Sequence, residues 1–287
     1  MISFLSAPKC CSRRVVSAPL VRDSSGWLWD FPAVDAVLRG SQAKLFLLCH
    51  PHNPTGRVWN EDELWQIALL AEKHDLVICS DEIHNGLILS PSRRHRLFAT
   101  LGAELATRTI TLMAPSKTFN IPGLGCAFAI IPERRLRRGF RDAMQGIVPH
   151  VNALGMVATA AALTLCDDWQ LALIDYLRGN LRAVEGAVAS VPGLDMRPVE
   201  ATYLAWIDAR EFARDKGIEN PVRYFEQHGL GLSDGADFGA PGFVRLNFGT
   251  RRALLEEALQ RLVQASSSLP SRSMAANLSA GTGGEKR

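Results

Sequence analysis

Two short apolar runs with β character, Lys44-Leu-Phe-Leu-Leu-Cys49 and Leu76-Val-Ile-Cys79, flank a segment with helical periodicity, and that order restricts the fold more than any other feature. Asn60 with Glu63 three residues on forms a capping-box pattern, and Leu64, Ile67, Ala68 and Ala71 supply one apolar helix face. Strand, helix and strand joined this way make a parallel pair with a right-handed crossover, so both strands end at the same edge. Their unbroken apolar character is that of strands buried on both faces of a parallel sheet. A third run, Thr109-Ile-Thr-Leu-Met113, follows a short helix around Ala99–Ala106, and Cys126-Ala-Phe-Ala-Ile-Ile131 adds one more strand. Upstream, Arg14–Val21 reads as a β-type run, Asp23-Ser-Ser-Gly26 as a turn, and Phe31–Leu38 as a helix closed by Gly40. This alternation is that of a doubly wound α/β layer.

Helices are expected over Arg134–Ile147, Asn152–Leu165 and Asp168–Val191, the last ended by Pro192-Gly193. The apolar run Ala153–Leu165 is too short to span a bilayer and reads as a buried helix. A smaller α+β unit follows, with strands Tyr203–Asp208 and Phe243–Phe248 and helices Asn220–His228 and Arg252–Ala265. The expected division is a large domain over 1–170, an interdomain helix with a small C-terminal domain over 171–265, and a disordered tail over 266–287, where Ser, Gly, Ala and charge take over.

The chain has 287 residues, 47% of them hydrophobic and 21% charged, as in a globular protein large enough for one or two cores. A net charge of +3 is too small to argue for nucleic acid. Arg134, Arg135, Arg137, Arg138 and Arg141 lie at a helix start without interleaved aromatics and read as a solvated face. Six cysteines without C-x-x-C spacing suit buried thiols in a reducing cytoplasm. The opening Met1-Ile-Ser-Phe-Leu-Ser-Ala-Pro has no basic start and too short an apolar stretch for a signal peptide. No membrane or nucleic-acid partner is expected.

The chemistry is expected at three strand ends. Asn53 follows the first strand, Asp81 ends the second, and Lys117 follows the third, and ligands of open α/β sheets bind at that carboxyl edge. Lys117 is one of six lysines against 26 arginines and stands alone between Lys73 and Lys216. Arginine cannot deprotonate to a nucleophile, so a lysine kept at the end of an apolar strand is a candidate for amine chemistry. An amide, a carboxylate and an amine at one edge suit an aldehyde cofactor with a pyridine ring. Each residue also has a plainer reading. Asn53-Pro-Thr-Gly56 makes a good turn by itself, Lys117 suits a surface loop, and Asp81-Glu-Ile-His84 suits a helix cap or, with His50 and His52, a metal site without a known ligand spacing. No G-x-S-x-G and no dinucleotide fingerprint occurs.

Together, Asn53-Pro-Thr-Gly56, Ser80-Asp-Glu-Ile-His84 and Ala114-Pro-Ser-Lys-Thr-Phe-Asn-Ile-Pro-Gly123 resemble the class I/II aminotransferase superfamily, the fold type I enzymes that use pyridoxal 5′-phosphate. Pro51-His-Asn-Pro-Thr-Gly-Arg-Val58 and Asp81-Glu-Ile-His84 resemble its MalY and PatB-type C–S β-lyases most. The resemblance runs from about Phe4 to Val263. It implies a large domain with a mostly parallel sheet between helices, plus a small α+β C-terminal domain. It also implies that Lys117 holds pyridoxal 5′-phosphate as an imine, Asp81 pairs with the pyridine nitrogen and Asn53 with the phenolic oxygen. Ile83 would pack under the ring, His84 takes the place of a common tyrosine, and Ser116 is a candidate phosphate ligand. Ala114 stands where many relatives have a phosphate-binding serine, and Gly125 where aminotransferases often have arginine. Arg245, in Phe243-Val-Arg-Leu-Asn-Phe248, matches the arginine for the substrate α-carboxylate; its plainer reading is a strand arginine paired with a surface acid.

The implied activity is β-elimination on cystathionine or another cysteine S-conjugate, giving thiol, pyruvate and ammonia, in a cytoplasmic homodimer. Relatives carry a further N-terminal segment with a phosphate loop and a stacking aromatic, so the chain is expected to begin inside the large domain. An aminotransferase, a catalytically impaired fragment and a non-catalytic binding or regulatory protein remain open alternatives at this point.

Overall fold

The helix between the two apolar runs forms as its sequence dictates. In the computed structural model, which describes residues 2–267, the Asn60 side chain accepts from the Glu63 N–H and the Glu63 carboxylate accepts from the Asn60 N–H, both at 2.8 Å. That reciprocal cap starts the helix Glu61–Lys73.

The elements, in order, are α1 (Ile2–Cys10), β1 (Val21–Arg22), β2 (Trp27–Leu28), α2 (Phe31–Arg39), β3 (Leu45–Cys49), α3 (Glu61–Lys73), β4 (Val77–Asp81), α4 (Ala103–Thr107), β5 (Thr109–Met113), β6 (Phe128–Ile130), α5 (Arg134–Met144), α6 (Ala153–Leu165) and α7 (Asp167–Ala189). There follow β7 (Asp195–Met196), β8 (Leu204–Asp208), α8 (Arg210–Lys216), α9 (Pro221–Gln227), β9 (Ser233–Asp234), β10 (Phe243–Asn247) and α10 (Arg252–Ser267). Two compact units divide the described residues: Ser3–Tyr176 with Val199–Thr202, and Leu177–Pro198 with the described residues from Tyr203 onward. The residues after Ser267, where a disordered tail is expected, lie outside the described residues.

The first unit holds a four-stranded sheet in the order β3-β4-β5-β6. The first three strands are parallel, with Cys49 beside Asp81 and Asp81 beside Leu112, and β6 runs antiparallel to β5. Leu64, Ile67, Ala68 and Ala71 of α3 pack with Leu48, Trp59, Leu76, Ile78 and Phe98 in one buried cluster. Each large apolar side chain buried there contributes about 1.5–3 kcal/mol. The second unit holds an antiparallel sheet, β7-β8-β10-β9, in which every residue of β8 is buried. Leu255, Leu259 and Leu262 bury one face of α10 at helical spacing, and the Asn180 amide donates to the Phe248 and Thr250 carbonyls at 2.7 and 2.9 Å.

Several sequence expectations are corrected. Arg14–Val21 is not a strand: pairing is confined to Val21–Arg22 with Trp27–Leu28. Pro19 has no N–H to give a ladder, and charged Arg13 and Arg14 offer no buried face. β3 is not buried throughout, because it pairs with β4 alone among the described strands and leaves Leu45 48% exposed. The expected strand Cys126–Ile131 shortens to three residues after Gly125, which takes a left-handed conformation. The larger correction concerns Ala153–Leu165. It is helical, capped by Asn152, but only Gly155 and Ala162 are buried, while Leu154, Met156, Val157, Leu163 and Leu165 are exposed by half or more. The helix packs through its small residues: a Cβ on Gly155 would lie 2.5 Å from the Leu124 carbonyl oxygen. Among the described residues no single helix is long and apolar enough to cross a membrane.

Candidate functional site

Parallel register sets the site before any side chain is considered. The ladder continues past the strands, with the His50 N–H on the Asp81 carbonyl at 2.9 Å and the Glu82 N–H on the Leu112 carbonyl at 3.0 Å. Three loops therefore leave one edge together, carrying Asn53, Asp81 and Lys117.

The loop after β3 is held almost entirely by buried polar contacts. The Asn53 N–H reaches the Cys49 Sγ at 3.4 Å, and the Trp59 indole N–H donates to the Cys49 carbonyl at 3.0 Å. Gly56, at φ +73°, occupies a place where a Cβ would stand 2.7 Å from Val199 Cγ1, so glycine is required by both conformation and space. Its carbonyl accepts the Glu200 and Ala201 N–H groups at 3.0 and 2.8 Å. Buried Arg57 then donates to both oxygens of Glu200 (3.1 and 3.0 Å), to Glu63 (2.6 Å) and to the Trp27 carbonyl (2.8 Å). A buried guanidinium with all its faces occupied makes the loop rigid, because losing one partner strands a charge. Within the loop, His52 Nδ1 pairs with the Thr55 hydroxyl at 2.8 Å, and desolvation pushes the His52 imidazole down to about 3.

Asp81 closes β4, with the Ile83 N–H donating to its Oδ1 at 3.3 Å. Burial raises its carboxyl above the usual carboxylate range, while that N–H and the nearby Lys117 ammonium pull it back. Ile83 is half-buried and His84 is buried, 4% exposed. Lys117 lies in the turn after β5, half-buried, and makes no hydrogen bond or ion pair among the described residues. Thr118 beside it is buried against Gly86, where an added Cβ would meet its hydroxyl at 2.6 Å, and Phe119 stacks on Trp169 at 5.9 Å. The backbone that follows Lys117 is thereby fixed while the amine stays available. Ser116 is half-buried in the same turn.

Arg245 belongs to the second unit. It lies on β10 beside Trp206 of β8, donates to the Ser233 hydroxyl at 3.0 Å and sits 4.7 Å over the Phe238 ring. Burial lowers its pKa, opposed by Tyr203.

The structure thus brings Asn53, Asp81 and Lys117 to one edge, with Ile83, His84 and Ser116 beside them. The metal alternative gains nothing, since no group of three His, Cys, Asp or Glu side chains suited to a metal occurs among the described residues. Sequence reasoning missed Arg57, Glu200, Glu82 and His95. Arg57 follows the recognised turn directly, but its partner is 143 residues away and carries no local signal.

The family described as aminotransferase class I and II matches residues 4–262. The chain is 33% identical over 254 residues to the cystathionine β-lyase PatB of Bacillus subtilis, covering 87% of this chain and 65% of that protein. The crystal structure of OvoB superposes with a TM-score of 0.88 at 45% identity, covering 93% of this chain and 69% of that one. Cystalysin from Treponema denticola, which contains pyridoxal 5′-phosphate, gives 0.85 at 33% identity, covering 92% and 68%. The chain spans about two thirds of the length of these relatives.

Proposed function

The chain belongs to the class I and II aminotransferase family, and from that premise we propose that it is a pyridoxal 5′-phosphate-dependent C–S β-lyase. It acts on cystathionine or a related cysteine S-conjugate, releasing thiol, pyruvate and ammonia. The observation that carries this reading is the parallel register of Cys49, Asp81 and Leu112, which sends an amide, a carboxylate and an unengaged amine from one sheet edge.

The donor set fits the cofactor at its aldehyde, ring nitrogen and phenolic oxygen; for its phosphate this chain offers the Ser116 hydroxyl, and Ala114 and Gly125 offer no side-chain donor. When bound, the cofactor supplies an aldehyde for amine capture and a ring that withdraws electrons from the substrate α-carbon. Lys117 Nζ would hold the cofactor through that aldehyde, and it is the base placed to take the substrate α proton. Asp81 would hold a proton at the ring nitrogen, and its partly buried position would strengthen that ionic contact. The Asn53 amide would donate to the phenolic oxygen, and Ile83 and His84 would line the ring site. Arg245 would be the candidate partner for the substrate carboxylate through its planar fork. As the α proton moves to Lys117, the Cβ–S bond would break with its electron pair leaving on sulfur, and the proton held by Lys117 would return to that thiolate to give the thiol. The remaining 2-aminoacrylate takes up water and falls to pyruvate and ammonia, which balances the reaction.

The six free cysteines support a reducing, cytoplasmic setting. The apolar side chains exposed on α6 support a homodimer that covers them. The large unit is proposed as the cofactor-binding domain and the second as the small domain.

The test is reduction with borohydride after adding cofactor to the purified chain. A mass increase on Lys117, absent in Lys117→Ala, with thiol and pyruvate released from cystathionine, is the expected result; the variant should lose at least about a thousandfold in turnover. Transfer of the amino group to an added keto acid without thiol release would identify an aminotransferase instead. No adduct at all would refute the cofactor reading.

A further inference from the structure

Next to Asp81 stands a second carboxylate that the proposed chemistry does not use. Glu82 is fully buried. Its Oε1 accepts the Ser80 hydroxyl at 2.8 Å and the Phe98 N–H at 3.1 Å, and its Oε2 lies 2.6 Å from His95 Nε2. The His95 ring stacks on the His50 ring, with centroids 4.3 Å apart and planes 29° apart. His50 Nε2 faces the Arg96 carbonyl at 3.1 Å, and a carbonyl only accepts, so that nitrogen carries the proton. The Nδ1 atoms of both rings are buried without a hydrogen-bond partner among the described residues. His50 also bonds through its own N–H to the Asp81 carbonyl. One buried cluster therefore touches the end of β3, the end of β4 and the 95–98 turn.

An uncharged apolar plug of similar volume would pack this space at no electrostatic risk, since buried ionic groups are stabilising only when every partner is in place. What the polar cluster adds is direction. Each of the two Glu82 oxygens is fixed by named donors, so the Asp81–Glu82 peptide cannot rotate without breaking three bonds. We propose that Glu82 and His95, with His50 stacked behind them, are positioning residues that hold the Asp81 carboxylate and the Asn53 loop in place. For its cofactor readout this rests on the function proposed above. Its second readout does not.

Three variants separate direction from bulk. His95→Phe keeps a ring on His50 and removes the donor to Glu82. His95→Gln keeps a donor and gives up the ring. Ser80→Ala removes one of three bonds from Glu82 with little change in volume. Hydrogen exchange on the cofactor-free chain is expected to show amides of residues 50–56 and 81–87 opening about tenfold faster in His95→Phe, with residues 243–247 unchanged. His95→Gln should recover most of that protection, and Ser80→Ala should lose about threefold. In parallel, the apparent dissociation constant for pyridoxal 5′-phosphate, read from its absorbance change, should weaken about tenfold in His95→Phe and recover in His95→Gln.

Equal exchange in wild type and His95→Phe at residues 50–56 and 81–87 would overturn the proposal. So would faster exchange spread evenly to residues 243–247, or recovery by the ring rather than by the donor. Should the wild-type chain form no adduct with the cofactor, the functional reading falls, and the exchange pattern still decides the role of Glu82 and His95.

Discussion

Two parts of the first unit invert the usual rule of burial in opposite ways. Around the loops that carry Asn53 and Asp81, charged and polar groups are inside: Arg57, Glu82, His50 and His84 are each 6% exposed or less. On α6, apolar groups are outside, with Leu154 72% and Val157 68% exposed. The comparison separates two reasons for breaking the rule. Buried charges with complete partners fix a geometry, because any movement strands a charge in a medium that solvates it poorly. Exposed apolar groups around most of a helix fix nothing within the unit; they make it a candidate surface for association.

The contrast breaks most readily at Arg57. Arg57→Met removes the guanidinium from two carboxylates, and unfolding in urea is expected to show a loss of about 3–5 kcal/mol. A loss below about 1 kcal/mol would mean the buried charges are not what holds the loop.

The same region is expected to be acid-sensitive through His52. Its imidazole is pushed from 6.5 down to about 3 in the folded chain, so unfolding allows it to take up a proton that folding refuses. That stability is complete above about pH 6.5 and is lost as pH falls toward 3. Thermal unfolding midpoints measured across that window should fall, and His52→Gln should flatten the part of the slope that His52 contributes. An identical slope in the variant would assign the sensitivity to other groups, His50 first, since burial also holds its imidazole well below the ordinary range.

The smallest effect is expected on α6. Leu154→Gln with Val157→Gln should weaken self-association by about 10- to 100-fold in sedimentation, equivalent to about 1.4–2.7 kcal/mol. The unfolding free energy of the isolated chain should stay within about 0.5 kcal/mol, as for other exposed positions. A large loss of monomer stability would show that the helix face matters within the unit, and the comparison would fail.

Much of the site was legible because it depends on local pattern. The cap of α3 is written in Asn60 and Glu63, and the edge residues follow once two strands are joined by a helix. What escaped was pairing at a distance. Nothing near Glu200 says that it closes on Arg57, and nothing in Ser80-Asp-Glu-Ile-His84 says which of the two acids is only partly buried and which lies fully buried under His95. The helical run at 153–165 misled for a related reason: apolar content on all sides states that a helix must be covered, without stating by what.

The sequence by itself determined the parallel strand–helix–strand order, and through it the common edge shared by Asn53, Asp81 and Lys117. Strand direction and crossover handedness are consequences of backbone stereochemistry and short connections, which a sequence displays in order. Only the tertiary structure decided that Glu82 is fully buried while Asp81 is partly buried, that His50 and His95 stack behind them, and that α6 packs through Gly155 and Ala162 instead of its leucines. Those outcomes depend on which distant groups share a volume, and desolvation is a property of that volume, not of the neighbouring residues in the chain.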